Sequence, residues 1–157
     1  MTHNAINILF RIMAFLFAIS IHEYAHGAMA NRLGDPTAKI YGRLNLNPLA
    51  HLDLFGTLTL VLTGFRFGWA KPVPINPQNF KNPKQGMMYS AAAGPIANFL
   101  AAVLFAALTK LVQGSSNLNS LIYYFLYFNV LLNLGLGIFN LIPLPPLDGS
   151  KILAGFL

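Results

Sequence analysis

Ala14-Phe15-Leu16-Phe17-Ala18-Ile19-Ser20-Ile21-His22-Glu23-Tyr24-Ala25-His26 joins a charge-free apolar run to a His-Glu-x-x-His motif. On a helix, two histidines four residues apart point from one face, and the glutamate between them stands beside any ion they hold. Glu23 is the sole glutamate of the chain. Polar and ionisable groups are expensive inside an apolar helix, so this cluster argues for a built site rather than decorated helix surface.

The composition around it points to a bilayer. The chain of 157 residues has room for one domain, yet it is 55% hydrophobic and only 9% charged, where soluble domains run near 25% charged. Four acids, Glu23, Asp35, Asp53 and Asp148, face ten lysines and arginines, giving a net charge of +6. The basic residues are spread singly, which argues against a nucleic-acid partner. There is no cysteine, so disulfides and thiolate ligands are excluded and a metal must rest on His and carboxylate. No basic stretch followed by a small-residue cleavage site opens the sequence, and Met1 onward reads as mature chain.

Three apolar segments follow from length and charge. The first span is expected over about 5–33, with Arg11 free to snorkel and Gly34-Asp35-Pro36 as its stop. Residues 37–53 read as an extended loop, and 70–83, with Pro72, Pro74, Pro77 and Pro83, as irregular chain. No charge falls between Lys84 and Lys110, which places a second span at about 85–112. A neutral polar turn at 113–120 leads to a third span at about 120–142, with Tyr123, Tyr124 and Tyr127 at its start, as in an interfacial belt. Pro143, Pro145 and Pro146 interrupt it, and a further helix begins at about 147. Residues 54–69 differ in kind. Thr57-Leu58-Thr59-Leu60 and Phe65-Arg66-Phe67 alternate in period two around Thr63-Gly64, predicting a short membrane-associated β-hairpin.

Seven of the ten basic residues, Arg32, Lys39, Arg43, Arg66, Lys71, Lys81 and Lys84, lie between the first and second spans. That connection is therefore expected to face the cytoplasm. The end of the first span and the end of the third then share the cytoplasmic side, which brings Asp148 toward His22 and His26. A hydrolytic zinc takes three protein ligands and keeps one position for water. Beyond the two histidines the available donors are His3, Asp35, His51, Asp53 and Asp148. Asp35 belongs to a turn, while His51 and Asp53 read as loop hydrogen-bonders. Asp148 adjoins an apolar segment, where a cation offsets the burial of its charge, and it is favoured over the Asp-Gly turn reading. Glu23 is the expected general base and acid.

His22-Glu23-Tyr24-Ala25-His26, Asn47-Pro48-Leu49-Ala50-His51-Leu52-Asp53, Gly94-Pro95-Ile96-Ala97-Asn98 and Asn140-Leu141-Ile142-Pro143-Leu144-Pro145-Pro146-Leu147-Asp148-Gly149 occur in that order. Together they resemble the site-2 protease family of intramembrane zinc metalloproteases, over nearly the whole chain and in its minimal form without a PDZ domain. The resemblance implies a three-helix transmembrane catalytic core, which with the short β-hairpin and the start of a fourth helix read above gives an all-α polytopic membrane protein. It implies one Zn2+ held by His22, His26 and Asp148 with Glu23 as base, and substrate-binding or oxyanion roles for Asn98, Asn140 and Pro146. On packing grounds alone, Asn98 would bridge helices and Gly94 would serve close approach. The implied partners are a transmembrane protein substrate and the lipid bilayer of a bacterial or archaeal cell, and the oligomeric state stays open. Family members continue past the Asp-Gly helix, so further chain is expected after Leu157. An edge strand of the hairpin is expected to hold an unwound substrate. The alternative function is a non-catalytic membrane protein that binds or transports a metal, or relays protons, through the same residues.

Overall fold

The computed structural model describes residues 2–63, 69–113 and 120–157. Six α-helices are present among them: α1 (Thr2–Arg32), α2 (Thr37–Ile40), α3 (Leu54–Leu62), α4 (Pro83–Gln113), α5 (Ser120–Asn140) and α6 (Asp148–Phe156). Helices α1, α4 and α5 are long and apolar enough to cross a membrane.

Local chemistry sets the ends of these helices. Gly34 closes α1 with a φ of +107°, and the amides of Gly34 and Asp35 donate to the carbonyls of Asn31 (3.3 Å) and Ala30 (2.9 Å). That pair of bonds is a Schellman cap, which only a residue tolerant of positive φ completes cheaply. At the start of α4, Asn82 accepts the Gln85 amide at 3.2 Å, and Pro83 sits in the first turn, where its missing N–H is harmless.

Helix α4 is the central element, packed against α1, α5 and α6. Its buried face is built of small residues, Gly86, Ser90, Ala91, Ala93, Gly94, Ala101 and Ala102, facing Ala14 and Ala18, which are also buried. Small residues let helix axes approach where lipid supplies no hydrophobic drive for association. The opposite faces are apolar and open, with Leu100, Val103, Leu104 and Leu111 of α4 and Leu131, Leu134 and Ile138 of α5 exposed. Such surfaces suit hydrocarbon rather than water.

Two sequence expectations are corrected. The first arm of the expected hairpin is helical, since Leu54–Leu62 forms α3, and its second arm, 65–67, lies outside the described residues. Asp53 explains the outcome. Its carboxylate accepts the Gly56 amide at 2.8 Å and its carbonyl accepts the Thr57 amide at 2.8 Å, which nucleates a helix from its N-cap. A helix also satisfies its own backbone in an apolar medium, whereas a strand needs a partner. The only β-type pairing among the described residues is an isolated antiparallel bridge between Leu52 and Ala70. The expected extended loop over 37–53 contains α2 and a 3-10 turn at Pro48–His51, the latter capped by the Asn47 side chain on the Leu49 amide at 3.1 Å.

The proline-containing segment 71–76 runs from that bridge across the end of α1 and is tied down at several points. The Lys71 amide donates to the His51 carbonyl at 2.9 Å, and Arg43 donates through Nη2 to the Lys71 carbonyl at 2.8 Å. The Asn76 amide donates to Asp35 Oδ2 at 2.7 Å. Asp35 is fully buried and also accepts from the Asn79 side chain at 2.7 Å and from Thr37. Burial alone would raise its carboxyl, but the hydrogen bonds from Thr37, Asn79 and the Asn76 amide outweigh this and hold it below the usual carboxylate range.

Candidate metal centre

His22 and His26 lie one turn apart on α1, with ring centroids 4.5 Å apart and planes nearly perpendicular at 89°. Asp148, the first residue of α6, meets both, with its Oδ2 3.0 Å from His22 Nε2 and 3.0 Å from His26 Nε2. All three side chains are buried, and one ligand atom from each falls within 4.8 Å of the others. No other such group of His, Asp or Glu occurs among the described residues.

Two glycines make this approach possible. A Cβ on Gly94 of α4 would lie 2.5 Å from His26 Nε2 and 2.8 Å from His22 Cε1, so both imidazoles occupy the space that a side chain would fill. A Cβ on Gly149 would run into the Leu141 and Ile142 carbonyls, so the Asp-Gly pair lets α6 start tight against the chain leaving α5.

Hydrogen bonds behind the histidines fix which ring nitrogen carries the proton. Asn98 donates through Nδ2 to the Ala18 carbonyl at 3.0 Å and to Asn133 Oδ1 at 2.8 Å. A backbone carbonyl only accepts, so the amide nitrogen faces it and Oδ1 faces His22. His22 Nδ1 then donates to Asn98 Oδ1 at 2.6 Å. His26 Nδ1 likewise donates to the Ser90 carbonyl at 2.7 Å. In the neutral rings both Nε2 atoms are consequently lone pairs, and they converge on a carboxylate oxygen. Three acceptors in one buried place repel unless a cation lies between them. Tetrahedral ligands at 2.0–2.1 Å from a metal stand about 3.3 Å apart, so the 3.0 Å separations seen here fit a divalent ion with a shift of a few tenths of an ångström.

Glu23 points from the same helix into a cavity of about 140 Å³ that His22, His26, Asp148, Asn140 and Pro146 also line. One of its oxygens, Oε2, accepts the Val73 amide at 2.8 Å, which ties the proline segment over the site. Lys151 reaches the cavity as well, with Nζ 3.4 Å from Asp148 Oδ1.

The remaining residues singled out in the sequence fall as follows. Asn98 is fully buried behind His22 and does not line the cavity, so it touches His22 rather than the open space beside it. Asn140 lines the cavity while its Nδ2 donates back to the Leu136 carbonyl at 3.0 Å. His51 is fully buried away from the cluster and donates through Nε2 to the Asn45 carbonyl at 2.9 Å. Asp35 holds loops, Asp53 caps α3, and the side chain of His3 lies outside the described residues. Asn133 was missed by sequence reasoning. The signal for it was there, because Asn129 and Asn133 stand four apart inside an apolar span, on one face of the helix.

A helical membrane core with a buried His-His-Asp set and an adjoining carboxylate offers the donors that a hydrolytic metal site uses. Residues 108–157 match the model of peptidase family M50. The chain is 39% identical over 151 residues to YwhC of Bacillus subtilis, named as an inferred zinc metalloprotease, covering 90% of this chain and 66% of that protein. It is 28% identical over 141 residues to Rip2 of Mycolicibacterium smegmatis, named in the same way, covering 88% of this chain and 53% of the relative. The zinc metalloprotease MJ0392 of Methanocaldococcus jannaschii is 39% identical over 77 residues, which are 49% of this chain and 22% of that protein. No solved structure matches significantly. These matches make the chain similar to peptidase family M50, the site-2 protease family, and its three long apolar helices make it an integral membrane protein. It spans under two thirds of the length of each of these relatives.

Proposed function

We infer that this protein is an intramembrane zinc metalloprotease that hydrolyses peptide bonds of transmembrane or membrane-proximal segments, with its site toward the cytoplasmic side. The observation that carries this reading is the convergence of the His22 and His26 Nε2 atoms and the Asp148 carboxylate on one buried point beside Glu23. The relatives named for zinc proteolysis identify zinc as the ion. His22, His26 and Asp148 would hold it, and it would supply Lewis acidity toward water and a scissile carbonyl.

The chain's own residues divide the remaining work. Glu23, held at Oε2 by the Val73 amide, takes a proton from the attacking water and returns it to the leaving amine. Asn98 and the Ser90 carbonyl keep the two histidines in the ligand tautomer. Asn140 spends one N–H on Leu136 and has a second, which is available to a substrate carbonyl in the cavity it lines. Pro146 also lines the cavity. A helical substrate hides its carbonyls in its own hydrogen bonds, so a bond must leave helical geometry before it is cut.

Zinc content and cleavage of a single-span substrate, measured together for the wild type and Glu23→Gln, test the reading. The expected result is one zinc per chain in both and cleavage in the wild type alone. Equal cleavage by Glu23→Gln removes Glu23 as the base. Zinc binding without cleavage by the wild type favours a metal-binding or transport protein.

A further inference from the structure

A second cavity, of about 370 Å³, opens between α4 and α6 and is lined by Pro77, Pro83, Met87 and Gly155 together with two cations, Lys84 and Lys151. Met87 and Lys151 also line the cavity beside Glu23, so the two spaces share a wall. No acid lines the second cavity. Glu23, Asp35 and Asp53 are engaged by backbone amides, and among the described residues every ion pair involves Asp148. Lys84 is exposed and has no carboxylate partner. An apolar trough with an unpaired cation at its rim is complementary to an apolar side chain with a carboxylate next to it.

We propose that this groove is a substrate subsite, resting on the protease reading, which selects an acidic residue beside an apolar one close to the scissile bond. Lys151 sets the distance, since it stands 3.4 Å from the ligand Asp148 and lines both spaces. An extended chain advances about 3.3 Å per residue, so a carboxylate meeting Lys84 or Lys151 belongs roughly one to three residues from the cut. The lysines are selectivity elements and take no part in bond breaking.

The test separates binding from cleavage. Labelled peptides carrying an apolar segment followed by Glu, Gln or Lys are titrated into full-length Glu23→Gln protein in a neutral detergent, alone and with Lys84→Glu or Lys39→Glu added. The expected result is that the Glu peptide binds about three- to tenfold more tightly than the Gln peptide, from one or two partly screened charge pairs. Lys84→Glu reverses the order of the Glu and Lys peptides, while Lys39→Glu, on α2, keeps it. Equal binding of the three peptides overturns the proposal. So does an equal response to both charge reversals, which reports general attraction, or loss of the preference when anionic lipid is added, which assigns the groove to a headgroup. If the Glu peptide is preferred but wild-type protein cuts none of the three, the groove stands as a peptide-binding site only, and its part in cleavage falls together with the protease reading.

Discussion

Replacing Asn98 by Ala removes the 2.6 Å acceptor of His22 Nδ1 and the donors to Ala18 and Asn133. The first loss frees the imidazole to rotate or to take the other tautomer, in which Nε2 carries the proton and no longer binds metal. Partners of metal-bound histidines are worth about 10- to 100-fold in metal affinity, or roughly 1.4–2.8 kcal/mol. The second loss leaves Asn133 Oδ1 buried without its donor, at about 1–3 kcal/mol of folding stability. Asn133→Ala separates the two effects, because Asn98 keeps both His22 and the Ala18 carbonyl. Competition for zinc against a chelator in detergent, with thermal unfolding of the metal-free form alongside, reads both. Asn98→Ala is expected to lose 10- to 100-fold in zinc affinity and also stability, whereas Asn133→Ala loses stability with zinc affinity within about threefold. Zinc affinity of Asn98→Ala within twofold of the wild type would refute the tautomer argument.

Gly94→Ala puts a methyl 2.5 Å from His26 Nε2, so zinc content is expected to fall to background while circular dichroism shows the helices intact. Removal of zinc by a chelator is expected to lower the unfolding midpoint reversibly, and at 100 times its dissociation constant free zinc should restore about 2.7 kcal/mol. Asp35 has a depressed folded pKa, so its contribution is complete above the unfolded value of about 3.9 and is lost as pH falls through the folded one. Wild-type stability should drop on acidification below about pH 4, and Asp35→Asn should be less stable near pH 7 by roughly 1.5–3 kcal/mol, with a flatter acid limb in a thermal midpoint series. Asp53→Ala should destabilise α3 by about 1 kcal/mol, read as faster amide exchange at Gly56 and Thr57.

Much of the fold was legible because hydropathy is a local property. Apolar length located α1, α4 and α5, and Gly34-Asp35-Pro36 marked the end of α1, where Gly34 adopts positive φ and Asp35 accepts four hydrogen bonds. Residues 54–62 were misread because Thr57-Leu58-Thr59-Leu60 satisfies a period of two as well as of 3.6, and the tie is broken outside the stretch by Asp53. The Val73 amide on Glu23 joins residues 50 positions apart, a contact that no periodicity carries. Proline content identified 70–83 as irregular but could not reveal that the segment is fastened to Asp35, Arg43 and Glu23 at once.

The site itself divides along the line between charge and dipole. Ionisable residues in an apolar chain announce themselves by their cost, which is why four acids and a His-Glu-x-x-His motif narrowed the ligand set to a few residues. The groups that orient those ligands are neutral amides, which raise no such alarm. Yet amides are what this setting requires. His22 needs an acceptor on one side of Asn98, while the Ala18 carbonyl and Asn133 Oδ1 need donors on the other. A carboxylate at 98 would confront two acceptors, and an ammonium would have nothing to accept from the imidazole. Only a group with an acceptor and two donors satisfies all three partners where water is scarce. The asparagines of α4 and α5 are therefore as much a part of the candidate metal centre as the histidines, and in an apolar span they should be read with the same attention as a charge.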